Sequence, residues 1–219
     1  MKKRTSIFTP NMEAYIDSEL VKRPHPLFFE MEAYALEHSV PIVSAATGAV
    51  LKSLLQTWNP KEVWELGTGI GYSTLWMAMG ATNANITTLD RNPHQASLLE
   101  KYASIILENG KNRIRYISSW VMDYMYANIN EWANADLVFI DCDKVTYPEL
   151  WDIVSFHLKI GARIVYDNVL WHGRLIDESF QNPSDIAVRA LWKRVKESTF
   201  NYTLFPVGDG LLVAEKMKK

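Results

Sequence analysis

Three apolar runs in this chain each end on an aspartate: "NITTLD" at Asp90, "ADLVFID" at Asp141 and "ARIVYD" at Asp167. Short apolar runs of this kind read as strands. One acid at a strand end is ordinary, because strand ends meet water. Three in succession, with the glycine-rich "GTGIG" directly after the run "EVWEL", point to a functional cleft on a single rim. Beside Asp167 stands Asn168, in "YDNVLWHG". An acid next to an amide offers side-chain oxygens on adjacent residues, which suits a turn, a helix cap or half of an oxygen-rich metal site. Lys144 follows Asp141 by three positions and adds an amine to the same rim. Carboxylates, an amide and an amine in one cleft offer cation binding and proton transfer.

The elements that must position these groups follow from hydrophobic periodicity. The first ~60 residues read as three helices, "PNMEAYIDSELVK", "PLFFEMEAYALEHS" and "SAATGAVLKSLLQTW". From Glu62 the pattern alternates. Strand "EVWEL" is followed by helix "YSTLWMAMG", closed by Gly80. After Asp90, Asn92 is expected to cap a helix with Pro93 at its first position. Leu98, Leu99, Tyr102, Ile105 and Ile106 form its apolar face, and Asn109-Gly110 stops it. Strands "RIRYIS" and "ADLVFID", a helix over 146–158, a strand over 161–167 and a helix near 184–197 come next. "FNYTLF" and "GLLVAEK" form a terminal hairpin. Alternation of this kind means a parallel sheet with helices on both faces, and ligands bind such sheets beyond the carboxyl ends of the strands. The expected organisation is one domain over 1–219, with a helical cap over 1–60 and an α/β core over 61–219.

Gly67, Gly69 and Gly71 let the chain turn tightly and bring backbone N–H groups close to a ligand. Asp90 follows Gly67 by 23 residues, at the next strand end. A carboxylate there can accept from both hydroxyls of a ribose, which implies a nucleoside. A dinucleotide loop, G-x-G-x-x-G, needs glycine where this chain has Tyr72, so a dinucleotide oxidoreductase is a distant alternative.

Composition narrows the field. At 219 residues and 48% hydrophobic content, the chain can build one sizeable core. A formal net charge of −2 provides no broad cationic field for nucleic acid. Cys142 is the single cysteine, so no internal disulfide forms and a reducing compartment fits. "MKKRTSIFTPNM" has basic residues without an apolar stretch behind them and makes a poor signal peptide; no run approaches the roughly 18 apolar residues of a membrane span. A cytoplasmic protein is expected. His25, His38, His94, His157 and His172 lack zinc spacing, which disfavours that metal.

"WELGTGIGYSTLWMA" resembles the first motif of class I S-adenosylmethionine-dependent methyltransferases. "FIDCDKVTY" and "YDNVLWHG" resemble the two metal-site motifs of their cation-dependent catechol and caffeoyl-CoA O-methyltransferase branch, and "FPVGDGLLVAEK" resembles its C-terminal hairpin. The similarity runs from about Tyr34 to Lys216. It implies a Rossmann-like, mostly parallel seven-stranded sheet with helices on both faces, an antiparallel C-terminal hairpin and a helical N-terminal extension. It also implies S-adenosylmethionine held by Glu65, Gly67, Thr68, Gly69, Gly71, Ser73, Asp90, Arg91, Ser119, Trp120 and Asp141. Asp141, Asp167 and Asn168 would ligate Mg²⁺ or Ca²⁺, hard cations that want oxygen. Lys144 matches the general base; a lysine serves that role when neighbouring positive charge brings its pKa toward neutrality. Trp171, His172 and Asp209 would face the substrate.

The chain departs from the family pattern in places. "ISSW" at 117–120 stands where relatives often carry Gly-Asp-Ala beside adenine, Thr47 stands where plant relatives have glutamate, and Cys142 replaces a common alanine in what reads as a small apolar role. "RLIDESFQNPSDIAVRALWKRV" lacks the tyrosines and asparagine of the plant phenylpropanoid pocket, so substrate identity does not carry over. The sequence points to a bacterial-type, metal-dependent O-methyltransferase of a hydroxylated aromatic, catechol-like small molecule, with no membrane partner. Its N-terminal helices are expected to lid the cofactor and help form a homodimer, since "PLFF" is too apolar to leave exposed. Two alternatives stand beside this. One is methylation of a hydroxylated uridine in tRNA, with Lys111, Arg113 and Arg115, or Lys193, Arg194 and Lys196, as a phosphate track. The other is a non-catalytic protein that only binds S-adenosylmethionine.

Overall fold

A computed structural model describes residues 9–107 and 113–218. The expected helix stop at Asn109-Gly110 and the basic Lys111 lie outside the described residues. Seven strands, β1 (Glu62–Leu66), β2 (Asn85–Asp90), β3 (Arg113–Ser118), β4 (Leu137–Ile140), β5 (Arg163–Tyr166), β6 (Asn201–Phe205) and β7 (Leu211–Glu215), form one sheet in the order β3-β2-β1-β4-β5-β7-β6. The first five run parallel; β7 is antiparallel to both β5 and β6. This is the expected Rossmann-like sheet with its antiparallel terminal hairpin.

Period-two alternation in the central strands divides the core between the two faces. Val63, Leu137, Phe139 and Val165 face one layer, made by α2 (Leu27–Glu37), α3 (Ala45–Trp58), α4 (Tyr72–Gly80) and α5 (Pro93–Ile106). Trp64, Val138, Ile140 and Tyr166 face the other, made by α6 (Val121–Ala127), α7 (Ile129–Trp132), α8 (Tyr147–His157) and α9 (Pro183–Glu197). The short α6 and α7 were not evident from periodicity; their buried anchors are only Met125 and Trp132.

Local chemistry sets the helix ends. Ser44 Oγ accepts from Thr47 N at the start of α3, and Asn59 closes it in the left-handed conformation, φ 48°. α9 opens with Pro183 and a reciprocal Asn182–Asp185 capping box. The first expected helix is interrupted. α1 (Pro10–Tyr15) widens into a π-type turn over Ile16–Leu20, where Val21 N donates to Ile16 O. That turn brings Asp17 Oδ1 to 2.8 Å from Ala46 N, at the exposed amide end of α3. In the run "PLFF", Phe28 enters the core and Phe29 stays exposed.

α3 and α4 approach so closely that two glycines sit between them. A Cβ on Gly48 would overlap the Trp76 indole, and one on Gly80 would overlap the Lys52 carbonyl. Backbone cannot move aside as a flexible side chain can. Gly80→Ala should therefore lower stability by about 1–3 kcal/mol through overpacking, read as a lower urea midpoint with an unchanged slope.

Candidate functional site

Hydrogen bonds carry the sheet past its strand ends. Ser119 N donates to Asp90 O, Gly67 N to Leu89 O, Asp141 N to Leu66 O and Asp167 N to Ile140 O. Ser119, Asp90, Gly67, Asp141 and Asp167 therefore stand side by side along one rim, in the order of β3, β2, β1, β4 and β5. Above them opens a cleft of about 940 Å³. Its wall includes Gly67, Thr68, Gly69, Ser73, Asp90, Arg91, Ser119, Trp120, Asp141, Lys144, Asp167, Asn168, Trp171 and His172. Glu65, Gly71 and Asp209, also expected at the site, are not on that wall.

The glycine loop is pinned from above and below. Thr68 N and Gly69 N both donate to Asp90 Oδ2 at 3.1 Å, and Asn92 N donates to Oδ1 at 3.0 Å. Gly67 has φ +107°, and a Cβ there would overlap the Asp141 carbonyl, so the loop abuts the end of β4. Beneath the loop lies Glu65, fully buried. Ser73 Oγ, Thr74 Oγ1 and Thr88 Oγ1 all donate to its carboxylate, and Thr68 Oγ1 is 2.6 Å from Thr88 Oγ1. Burial pushes the Glu65 carboxyl up to about 7, against the opposing pull of those hydroxyls. Glu65 braces β1, β2 and the first turn of α4 from below.

At the far end of the rim two acids crowd together. Burial raises Asp141 above the usual carboxylate range, opposed by the charge of Lys144, whose Nζ donates to Oδ1 at 2.7 Å. Asp167 is pushed up to about 8, by burial first and then by Asp141. Its Oδ1 is buried without a hydrogen-bond partner. Asn168 follows with φ 56°, a conformation that asparagine tolerates better than most residues. Among the described residues no three His, Cys, Asp or Glu side chains group as a metal site; two acids and an amide are the oxygen set present. Cys142 also lines the cleft, its thiol pushed up to about 12 by burial and therefore un-ionised.

The remaining wall comes from three places. Arg91 stacks over the Trp120 ring at 4.8 Å from its centroid, and Trp120 is 60% exposed. His172 N donates to Asp209 Oδ1 at 2.6 Å, which sets Asp209 just behind the cleft. Val40, Pro41, Ile42 and Val43, with Tyr72, and Val121, Met122 and Asp123 at the start of α6 also line the cleft and were missed from sequence. The apolar "VPIV" between two helices was the available signal. Tyr72 donates to Glu32, which is paired through two contacts with Arg23 at 2.8 and 2.9 Å. The N-terminal region thus reaches the cleft wall. Of the basic runs, Arg115 is paired with Glu131 and Arg194 with Asp152. No helix among the described residues is long and apolar enough to cross a membrane.

A family model described as O-methyltransferase matches residues 21–217. A protein of Niastella koreensis named catechol O-methyltransferase is 31% identical over 152 residues, 68% of each chain. Among solved structures, cofactor-bound Rv0187 from MTB superposes with a TM-score of 0.81 at 25% identity, covering 98% of this chain and 100% of that one. An O-methyltransferase from Bacillus cereus in complex with SAH gives 0.79 at 22% identity, covering 94% and 97%.

Glu65 generates a pH test. Its ordinary value is 4.5 and its folded value about 7. Between these limits the folded state holds a proton that the unfolded state releases, so stability falls as pH rises through the window and levels off above it. Over that range the loss is on the order of 3 kcal/mol. Glu65→Gln should abolish this component. The stability difference between wild type and variant, from urea melts at pH 5 to 8, should shift steadily against the wild type. A constant difference would remove Glu65 as a titrating group.

Proposed function

The chain belongs to the O-methyltransferase family, and from that membership we propose an S-adenosylmethionine-dependent enzyme that methylates one hydroxyl of a catechol-like small molecule with the help of a divalent cation. One observation carries the proposal furthest. The buried, unpartnered Oδ1 of Asp167 lies on the cleft wall with Asp141, Asn168 and Lys144. Two carboxylates and an amide are hard oxygen donors that suit Mg²⁺ or Ca²⁺. Lys144 pairs directly with Asp141, while Asp167, held only by the Asn168 backbone N–H, keeps Oδ1 unbonded. A cation on Asp141, Asp167 and Asn168 would offset the burial and the Asp141 charge that together hold Asp167 near 8.

Bound S-adenosylmethionine supplies an electrophilic methyl on sulfur, and a bound divalent cation makes a coordinated hydroxyl more acidic. The protein's own groups do the rest. Asp90, already fixed by loop amides, accepts from the ribose hydroxyls. The glycine loop presents backbone N–H groups beside it. Ser119 and Trp120 border the adenine, with Arg91 stacked on the indole. The neutral amine form of Lys144, not the ammonium that pairs with Asp141, accepts the proton of the reacting hydroxyl at Nζ. Trp171 and His172 wall the aromatic acceptor, and their role is to hold the reacting oxygen in line with the methyl carbon. The segment Val40–Val43 excludes water from the opposite side.

The tRNA alternative loses support because Arg115 and Arg194 are engaged by Glu131 and Asp152. A non-catalytic cofactor binder would have no use for Lys144 among the acids. A cytoplasmic homodimer remains part of the proposal, and light scattering tests its mass.

Turnover of S-adenosylmethionine with a mixed catechol panel, and separately with bulk tRNA, is expected only with catechols and only with divalent cation present. Activity that survives exhaustive EDTA treatment would end the cation assignment. Lys144→Met should bind cofactor normally and lose about 10²–10⁴-fold in kcat. The deficit should grow as the acceptor hydroxyl becomes less acidic. A near-wild-type kcat across phenols of graded pKa would leave Lys144 without the base role.

A further inference from the structure

The segment from Asn168 to Gly173 is strained. Asn168, Trp171 and His172 all hold positive φ, at 56°, 51° and 55°, and Gly173 follows at 76°. Non-glycine residues rarely adopt this region and persist there only where the surroundings over-determine them. Here the surroundings are identifiable. Leu170 N donates to Asp209 O and His172 N to Asp209 Oδ1, so the β6–β7 turn grips one side. α9 grips the other. Trp192 Nε1 donates to Val169 O at 2.8 Å, and Trp171 Nε1 donates to Asp185 Oδ1 at 2.7 Å.

Asp185 is no ordinary capping residue. Its side chain is fully buried. One carboxylate oxygen is occupied by the Trp171 indole; the other accepts from Arg174 Nη2 at 2.7 Å and from Asn182 N at 2.9 Å. The cap alone needs one oxygen. The second fixes a ring that lines the cleft. A buried, charge-assisted bond to an indole N–H fixes orientation as well as depth.

We propose that Asp185 is a positioning residue for the acceptor: through its bond to the Trp171 indole it sets the angle of the aromatic wall against which the acceptor ring lies. It touches neither the acceptor nor the cofactor. Only the identity of the acceptor rests on the catechol assignment; the tether between Asp185 and Trp171 does not.

The test uses the full chain, with catechol as the probe acceptor and saturating S-adenosylmethionine. Asp185→Ala should raise the KM for catechol about tenfold while cofactor affinity stays within about twofold. Trp171→Phe keeps a ring but removes the indole N–H, and should raise the same KM. Adding Asp185→Ala to Trp171→Phe should then change KM by less than about twofold, because the tether is already gone. Asp185→Asn has one oxygen for three donors; that oxygen turns to Arg174 and Asn182 N, so the variant keeps the cap, loses the indole acceptor and should raise the catechol KM as Asp185→Ala does. A purely structural Asp185 would lower Tm in both backgrounds and leave catechol KM unmoved, which would overturn the proposal. A second readout needs no turnover. In ¹⁵N-labelled protein, the indole N–H signal of Trp171, identified by its loss in Trp171→Phe, should be protected from solvent exchange. In Asp185→Ala and in Asp185→Asn it should lose that protection, while other indole signals stay in place. An unprotected Trp171 signal in wild type would also overturn the proposal. If the wild type does not turn over catechol, the acceptor assignment fails and the exchange result still decides the tether.

Discussion

Two carboxylates buried on neighbouring strand ends raise each other's cost of carrying charge. Parallel pairing of β4 with β5 puts Ile140 opposite Tyr166, so Asp141 and Asp167 must emerge next to each other. The pairing is reinforced from below, where the Tyr147 hydroxyl donates to the carbonyls of both Ile140 and Asp167. Neither acid can back away without breaking the sheet. Lys144 bonds Asp141 and its charge opposes the rise of both acids, yet Asp167 is left raised and with an unbonded Oδ1. The crowding of two buried acids is built into the fold by the pairing of β4 with β5.

The other acids of the fold show how neighbours decide what a carboxylate does. Glu65 is as buried as any residue, yet three hydroxyls satisfy it and it acts as a brace. Asp90 is half-exposed and spends its oxygens on backbone amides, which orders the glycine loop before any ligand arrives. Asp185 collects an indole, a guanidinium and a helix cap. Asp167 alone among these keeps a buried oxygen free of hydrogen bonds. Where donors are plentiful an acid is architecture; where they are withheld it becomes a site.

Much of this was legible in the chain. Strand-end acids, the glycine loop and strict alternation placed Asp90, Asp141 and Asp167 on one rim, because parallel connectivity leaves no other arrangement. Glu65 was named but its position was not foreseen. Period-two alternation turns it away from Trp64 and toward α4, and Ser73-Thr74 in the first turn of that helix were the donors to look for. What sequence could not offer were contacts made across long separations. Val40–Val43 line the cleft only because α2 and α3 pack where they do. Asp185 meets Trp171 only because α9 packs against the segment that follows β5. The interrupted first helix arises from a π-type turn that propensities do not encode, and it matters because it delivers Asp17 to α3.

Trp120 has an optical consequence. The rings of Trp76 and Trp132 are sealed in the core, and their surroundings are constant. Trp120 stands more than half in water at the lip of the cleft, under a guanidinium. Indole emission depends on the polarity around the ring, so a planar group that settles against this wall displaces water and changes both colour and brightness. An exposed indole on the cleft wall therefore gives the chain an intrinsic gauge of occupancy, readable in a fluorimeter without label or turnover.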